Sequence, residues 1–268
     1  MRILATLAAC ACAGLLAACA GAAGGTATAS GADEPTTVRI AAAADLKFAL
    51  EDVRVALAAE RPDLVLATTY GSSGTFYQQL LNGAPFDLYL SADLAYPRQL
   101  VADGLAREAD LFEYAVGRLV VWAPTGSPVD PTKGLDALLE PAATRVAIAN
   151  PEHAPYGRAA VAAMTTRGIE DDVADRLVLG ENVAQAAEFV LSGNAPVGVI
   201  ALSLALSPEM RDAGRWAEVP LDLFPRLEQG GVVMGSAADA GAAAAVRDFL
   251  LGETGRGILR DYGFFLPE

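Results

Sequence analysis

Val38-Arg39-Ile40-Ala41-Ala42-Ala43, then Ala44-Asp45-Leu46, is the stretch whose reading decides the fold. The first six residues form a short apolar run suited to a buried strand. Leu46, Leu50, Val53 and Leu57 then recur at intervals of four, three and four, one face of a helix that Arg61-Pro62 stops. The same unit follows again. Residues 64–70 predict a second strand, Gly71-Ser72-Ser73-Gly74 a turn opening a second helix, and Asn82-Gly83-Ala84-Pro85 its end before a strand over 86–91. Further strands are expected over 116–122, 145–149, 197–202 and 231–234. Helices are expected near 157–166 and 183–191, with Ala-rich helices to the end. Strands alternating with helices indicate an α/β fold with parallel sheets.

Outside this body the chain reads as an address. Met1-Arg2 precedes an uncharged apolar run over residues 3–18, too short to span a bilayer and closed by small residues, as in a secretory signal. Its ending, Leu16-Ala17-Ala18-Cys19, resembles a bacterial lipobox in which Cys19 is acylated and becomes the mature N-terminus. Cys10 and Cys12 then leave with residues 1–18, so the mature chain has no cysteine pair for a disulfide or thiolate metal site. Residues 19–37, rich in Gly, Ala, Thr and Ser, read as a lipid-attached flexible linker. Val120-Val121-Trp122-Ala123-Pro124, leading into a Pro- and Gly-rich segment, and Leu223-Phe224-Pro225 suggest two chain crossings between lobes. Lobe 1 is then expected over 38–121 and 225–268, and lobe 2 over 122–224.

Composition removes whole classes of function. The 268 residues are 53% hydrophobic and carry a net charge of -14, with Lys47 and Lys133 the only lysines among 19 basic residues. No basic run can hold a phosphate backbone, so nucleic-acid binding is excluded as the main role. His153 is the one histidine, so a Ser-His-Asp hydrolase would need it as base, and no His-rich zinc shell can form. The Gly-Ser-Ser-Gly turn lacks the lysine and spacing of a P-loop. What remains is a set of small polar turns between strand ends and helix starts. These present N–H groups and hydroxyls at the positive end of helix dipoles, a way to bind an anion without Lys or Arg. The turns around Ala44-Asp45 and Ser72-Ser73 fit this description. Asp45 and Ser73 each also fit a plain helix N-cap.

Several blocks resemble the periplasmic molybdate-binding proteins of bacterial ABC importers. They are Ile40 through Leu46, Tyr70 through Thr75, Asn82 through Asp93, Tyr114 through Val120, Asn150 through Gly157, Glu181 through Gln185, and Tyr262-Gly263-Phe264. The resemblance runs in order from Val38 to the end. It implies a type II periplasmic binding protein of two α/β lobes with a hinge and an interlobe ligand cleft. The implied ligand is a tetrahedral oxyanion, molybdate or tungstate, with no cofactor and no catalytic residue, and the implied partner is the transporter permease. A lipid anchor would be the only membrane contact, in the periplasm or cell envelope, and the protein is expected to be a monomer.

The resemblance places ligand donors at Ser73, with Ser72 beside it, and at backbone N–H groups near Ala44, Asp45, Tyr156 and Val183. Ser73, Tyr156 and Val183 are the positions expected to touch the oxygens around the molybdenum. Many members also carry a tyrosine donor after the strand near 197–200. Here Ala201-Leu202-Ser203-Leu204 stands in its place, and Ser203 and Tyr156 are the candidate substitutes. Asp45 replaces a serine or asparagine, and an ionised carboxylate cannot donate to an oxyanion. The expected resolution is that Asp45 caps its own helix and faces away. Its protonation, or a ligand with a proton or positive centre, are the other two. A different oxyanion such as sulfate, a metal species contacted by Asp45, and an α/β hydrolase built on His153 stand as alternatives.

Overall fold

The computed structural model describes residues 34–267, and the signal segment, Cys19 and the linker up to residue 33 lie outside them. Strand β1 (Thr36–Ala43) starts inside the expected linker, because Thr36 and Thr37 pair with Leu64 and Val65 of the neighbouring strand. A 3-10 turn, Ala44–Leu46, leads into α1 (Lys47–Glu60), which buries Ala49, Leu50, Val53 and Leu57. Then come β2 (Leu64–Gly71), α2 (Ser73–Leu81), β3 (Leu88–Ser91), α3 (Ala95–Ala102), β4 (Ala106–Gly117) and β5 (Leu119–Pro124). After a 3-10 segment, Pro131–Leu139, follow β6 (Val146–Ala149), α4 (Pro155–Arg167), α5 (Glu170–Val173), β7 (Leu177–Gly180) and α6 (Val183–Leu191). The chain finishes with β8 (Val197–Ala201), α7 (Leu202–Ala205), β9 (Gly214–Glu218), β10 (Leu227–Met234), α8 (Ala240–Leu251) and α9 (Glu253–Asp261).

Two five-stranded sheets result, ordered β2-β1-β3-β10-β4 and β7-β6-β8-β5-β9. Neither is wholly parallel, contrary to the expectation. In each, four strands share one direction and a single strand runs against them, β10 between β3 and β4, and β5 between β8 and β9. The antiparallel strands are the ones that carry the chain between lobes. The strand expected over 116–122 is two strands broken at Arg118, where the chain leaves the first sheet for the second. The change of sheet comes before Leu119, so β5 pairs wholly within the second sheet. The return lies between Glu218 and Leu227 and contains Leu223-Phe224-Pro225.

Each lobe has its own apolar interior. One gathers Ile40, Leu46, Leu50, Leu88, Leu90 and Leu259, and the other gathers Trp122, Val146, Ile148, Val197 and Ile200. The carboxyl ends of β1, β2 and β3 and of β6 and β7 carry the turns that hold Ala44, Ser72, Ala92, Ala154 and Asn182. Ligands of open α/β sheets bind at this end of parallel strands.

Candidate functional site

Those turns close a pocket lined by Ala43, Ala44, Asp45, Gly71, Ser72, Ser73 and Ala92 from the first lobe, and by Ala154, Pro155, Tyr156, Asn182 and Val183 from the second. Its cavity is ≈ 10 Å³, room for about one water-sized sphere. No Lys, Arg or His lines it. Ala44, Asp45, Ser72, Ser73, Tyr156 and Val183, spread over 140 positions of sequence, all meet here. A wider cleft of ≈ 480 Å³ lies on the other side of Ala92 and Pro155. Its three arginines are engaged: Arg158 with Asp93 at 2.7 Å, Arg98 with Glu113 at 3.2 Å and Arg226 with Glu228 at 3.8 Å.

Ser73 is the first residue of α2, and the cap position is Ser72, with no side-chain capping bond. Ser73 Oγ instead accepts the Ala92 N–H at 3.0 Å, and Tyr89 OH donates to the Ser73 carbonyl at 2.7 Å. A hydroxyl that accepts from the protein keeps its own proton for an acceptor in the pocket. Tyr156 follows Pro155 at the start of α4, so its N–H is the first that helix offers. Asn182 caps α6 by accepting the N–H groups of Ala184 and Gln185, which leaves that of Val183 outside the cap. Three helix starts therefore converge on one small space.

Ser72 has a different task. Its hydroxyl donates to the His153 carbonyl at 2.6 Å, and the Gly74 N–H reaches the same oxygen at 2.9 Å. Its single proton is committed to the facing lobe, so it holds the lobes together rather than donating to a ligand. His153 Nδ1 lies 3.0 Å from Ser72 Oγ and Nε2 lies 3.5 Å from Glu181. This looks like a Ser-His-Glu arrangement, but the serine proton already goes to a carbonyl. Nδ1 must then be the donor in that contact, and no general base faces the hydroxyl.

Asp45 does not cap a helix. The cap of its 3-10 turn is Ala43 and that of α1 is Leu46, neither with a side-chain bond. Asp45 is 1% exposed, and its Oδ2 accepts from Gln229 Nε2 at 2.6 Å. That same nitrogen is 3.2 Å from Tyr156 OH, so the tyrosine hydroxyl sits in this cluster and not free in the pocket. Burial pushes the Asp45 carboxyl up to about 6, with the bonds from Gln229 and Tyr156 opposing it. Ser203, a candidate substitute donor, gives its proton to the Asp45 main-chain carbonyl at 2.7 Å. Gln229 was not anticipated from sequence. It comes from β10, 184 positions away from Asp45, and no local pattern marks it.

Similarity to known proteins agrees with this geometry. Residues 38–265 match the family model described as bacterial extracellular solute-binding protein. The molybdate-binding protein ModA of Rhodobacter capsulatus is 39% identical over 209 residues, covering 78% of this chain and 81% of that protein. ModA of Azotobacter vinelandii is 34% identical over 235 residues, covering 88% and 92%. The solved periplasmic molybdate-binding protein of Azotobacter vinelandii superposes with a TM-score of 0.80 at 29% identity, over 86% of this chain and all of that one. Two α/β lobes about an interlobe cleft are the architecture of such periplasmic binding proteins. The chain belongs to the bacterial extracellular solute-binding protein family, together with the ModA molybdate-binding proteins.

Proposed function

We propose that the protein is the substrate-binding component of an ABC importer that captures molybdate or tungstate in the interlobe pocket and presents the closed form to a permease. The observation that carries this reading is Ser73, a buried hydroxyl whose oxygen is already an acceptor, facing a small cation-free pocket at three helix starts. Neutral donors of this kind suit a small oxyanion, and the named relatives bind molybdate. The donors we assign are the Ser73 hydroxyl and the N–H groups of Ala44, Tyr156 and Val183. The chain acts in the periplasm, held by a lipid on Cys19 and working as a monomer.

Calorimetric titration of molybdate, tungstate and sulfate into the protein tests this. Molybdate and tungstate are expected to bind with sulfate weaker. Ser73→Ala should lose a charge-assisted hydrogen bond of ~1.5–3 kcal/mol, raising Kd by about tenfold to a hundredfold. Tight sulfate binding without molybdate binding would reassign the ligand, and heat with none of the three anions would end the oxyanion reading.

A further inference from the structure

Taking the anion-binding reading above as its basis, we infer that Asp45 stands in the loaded pocket as a neutral carboxylic acid, so that each captured anion brings one proton with it. Asp45 lines the pocket and is buried with its Oδ1 unpartnered. Every neighbour that faces it is uncharged or unable to supply a positive charge. From β10 comes the Gln229 amide, from α4 the Tyr156 hydroxyl, and from β4 Tyr114, whose own ionisation the Asp45 charge opposes. From α7 comes Ser203, which bonds the main chain, and from β2 and α6 come Gly71, Asn182 and Val183. Nearby cations are turned elsewhere. Lys47 lies with Glu188 at 3.7 Å, and Arg158 with Asp93 and Tyr96. An ionised carboxylate and an oxyanion in this cation-free space would repel with little screening.

Gln229 equips the pair for either charge state. The two ends of an amide side chain are nearly alike in shape. With its amine toward Asp45 it donates to the carboxylate, the arrangement observed, and Gln229 Oε1 is then a buried atom without a partner. Turned over, its carbonyl accepts the proton of the neutral acid, and 2.6 Å is an ordinary O–H···O distance. Burial already lifts the carboxyl toward neutrality, and an anion beside it lifts it further. Opening the lobes rehydrates the group and returns it toward the usual carboxylate range, so closure over an anion takes up a proton at any pH between the two values. The sign follows: affinity falls as pH rises, by about tenfold per pH unit while the linkage is complete.

The test is calorimetry of sodium molybdate, tungstate and sulfate with the wild type from pH 5.5 to 8.5, in buffers of different ionisation enthalpy. Sulfate stays a dianion throughout, so protons taken up with it belong to the protein. About one proton per anion near neutral pH and a Kd rising with pH are expected. Asp45→Asn should abolish the uptake, flatten the pH profile and bind more tightly than wild type at pH 8. Binding without proton uptake overturns this inference and leaves the anion-binding reading intact, as does a folded Asp45→Asn that no longer binds. A preference for inorganic phosphate that Asp45→Asn removes also overturns it, since the proton would then ride on the ligand. No binding of any anion at pH 5.5, where repulsion is least, sinks both readings.

Discussion

Two buried aspartates in the first lobe show how the environment decides what a carboxyl does. Asp87 accepts the Arg39 main-chain N–H at 2.8 Å, the Arg39 guanidinium at 3.0 and 2.8 Å, and the Ala238 N–H at 2.8 Å. The Arg39 bonds above all hold its carboxyl down at about 2. A depressed carboxylate stabilises the fold above its unfolded value near 4 and loses that contribution as pH falls toward 2. Arg39 is 39% exposed, so solvent screens the pair and reduces that contribution. Thermal unfolding between pH 2 and 5 should show a steeper loss of Tm on acidification in wild type than in Asp87→Asn. Asp45 has the opposite sign. Its folded value lies above the unfolded one, so its ionisation costs stability as pH rises from about 4 through 6. With the lobes closed on saturating sulfate, Asp45→Asn should therefore raise the Tm at pH 8 and leave it little changed at pH 4. Equal Tm values at pH 8 would place the carboxyl in water and not in the interior.

At the scale of elements, the start of α2 is the piece on which closure turns. Ser72 and the Gly74 N–H both reach the His153 carbonyl, which lies in the turn leading into α4. Thr75 Oγ1 reaches Glu181 at 3.2 Å, and Arg158 of α4 bridges to Asp93 and Tyr96. These contacts are polar and partly exposed, each worth little singly, which lets the lobes part and rejoin. Gly74 is required because a Cβ there would meet the His153 carbonyl oxygen at 2.6 Å and Tyr96 OH at 2.7 Å. Gly74→Ala should keep the unliganded Tm within a few degrees yet hold the lobes apart. Its radius of gyration by small-angle scattering should not shrink on adding molybdate, and affinity should fall at least ~tenfold. A variant that closes and binds like wild type would show that the α2 start does not govern closure. The four-residue edge strand β7 was not anticipated from the sequence, and the longer edge strands it hid are β4 and β9. Their charged residues, Arg107, Glu108 and Asp110 in one and Arg215 and Glu218 in the other, hide the strand signal as edges commonly do.

The whole molecule is two lobes whose apolar interiors meet at the cleft, where Ala43, Ala44 and Ala92 of the first join the cluster of the second and Phe48 packs against both, with a hinge at Arg118 and at the segment between Glu218 and Leu227. Arg118 ties the hinge by pairing with Glu218 and stacking over the Phe265 ring at 4.5 Å, while Phe265 bridges Val116. Among the described residues no helix is long and apolar enough to cross a membrane. The proposed lipid on Cys19, which lies outside them, rests on the Leu16-Ala17-Ala18-Cys19 motif alone. Cys19→Ala should move the protein from the membrane to the soluble fraction while its molybdate Kd stays the same. A variant still found with membranes would remove the lipid anchor from the proposal.

Much of the order of elements, though not α3, β7, β9 or most of β4, was written into local pattern. A run such as 38–43, a four-three-four leucine face and a Gly-Ser-Ser-Gly turn each specify their own conformation within a few residues, and α6 falls on the expected residues 183–191. The position of Ser73 in the site was legible for the same reason, since a turn before a helix exposes its first donors. The roles of Asp45, Ser72 and Tyr156 were decided only by the tertiary structure. Asp45 meets Gln229 from β10, Ser72 meets His153 from the other lobe, and Tyr156 joins the carboxyl cluster behind the pocket. Each role depends on which partner from a distant part of the chain takes the side chain's hydrogen bond. Burial and partnership at that range come from how two lobes close, and no neighbouring residue encodes them.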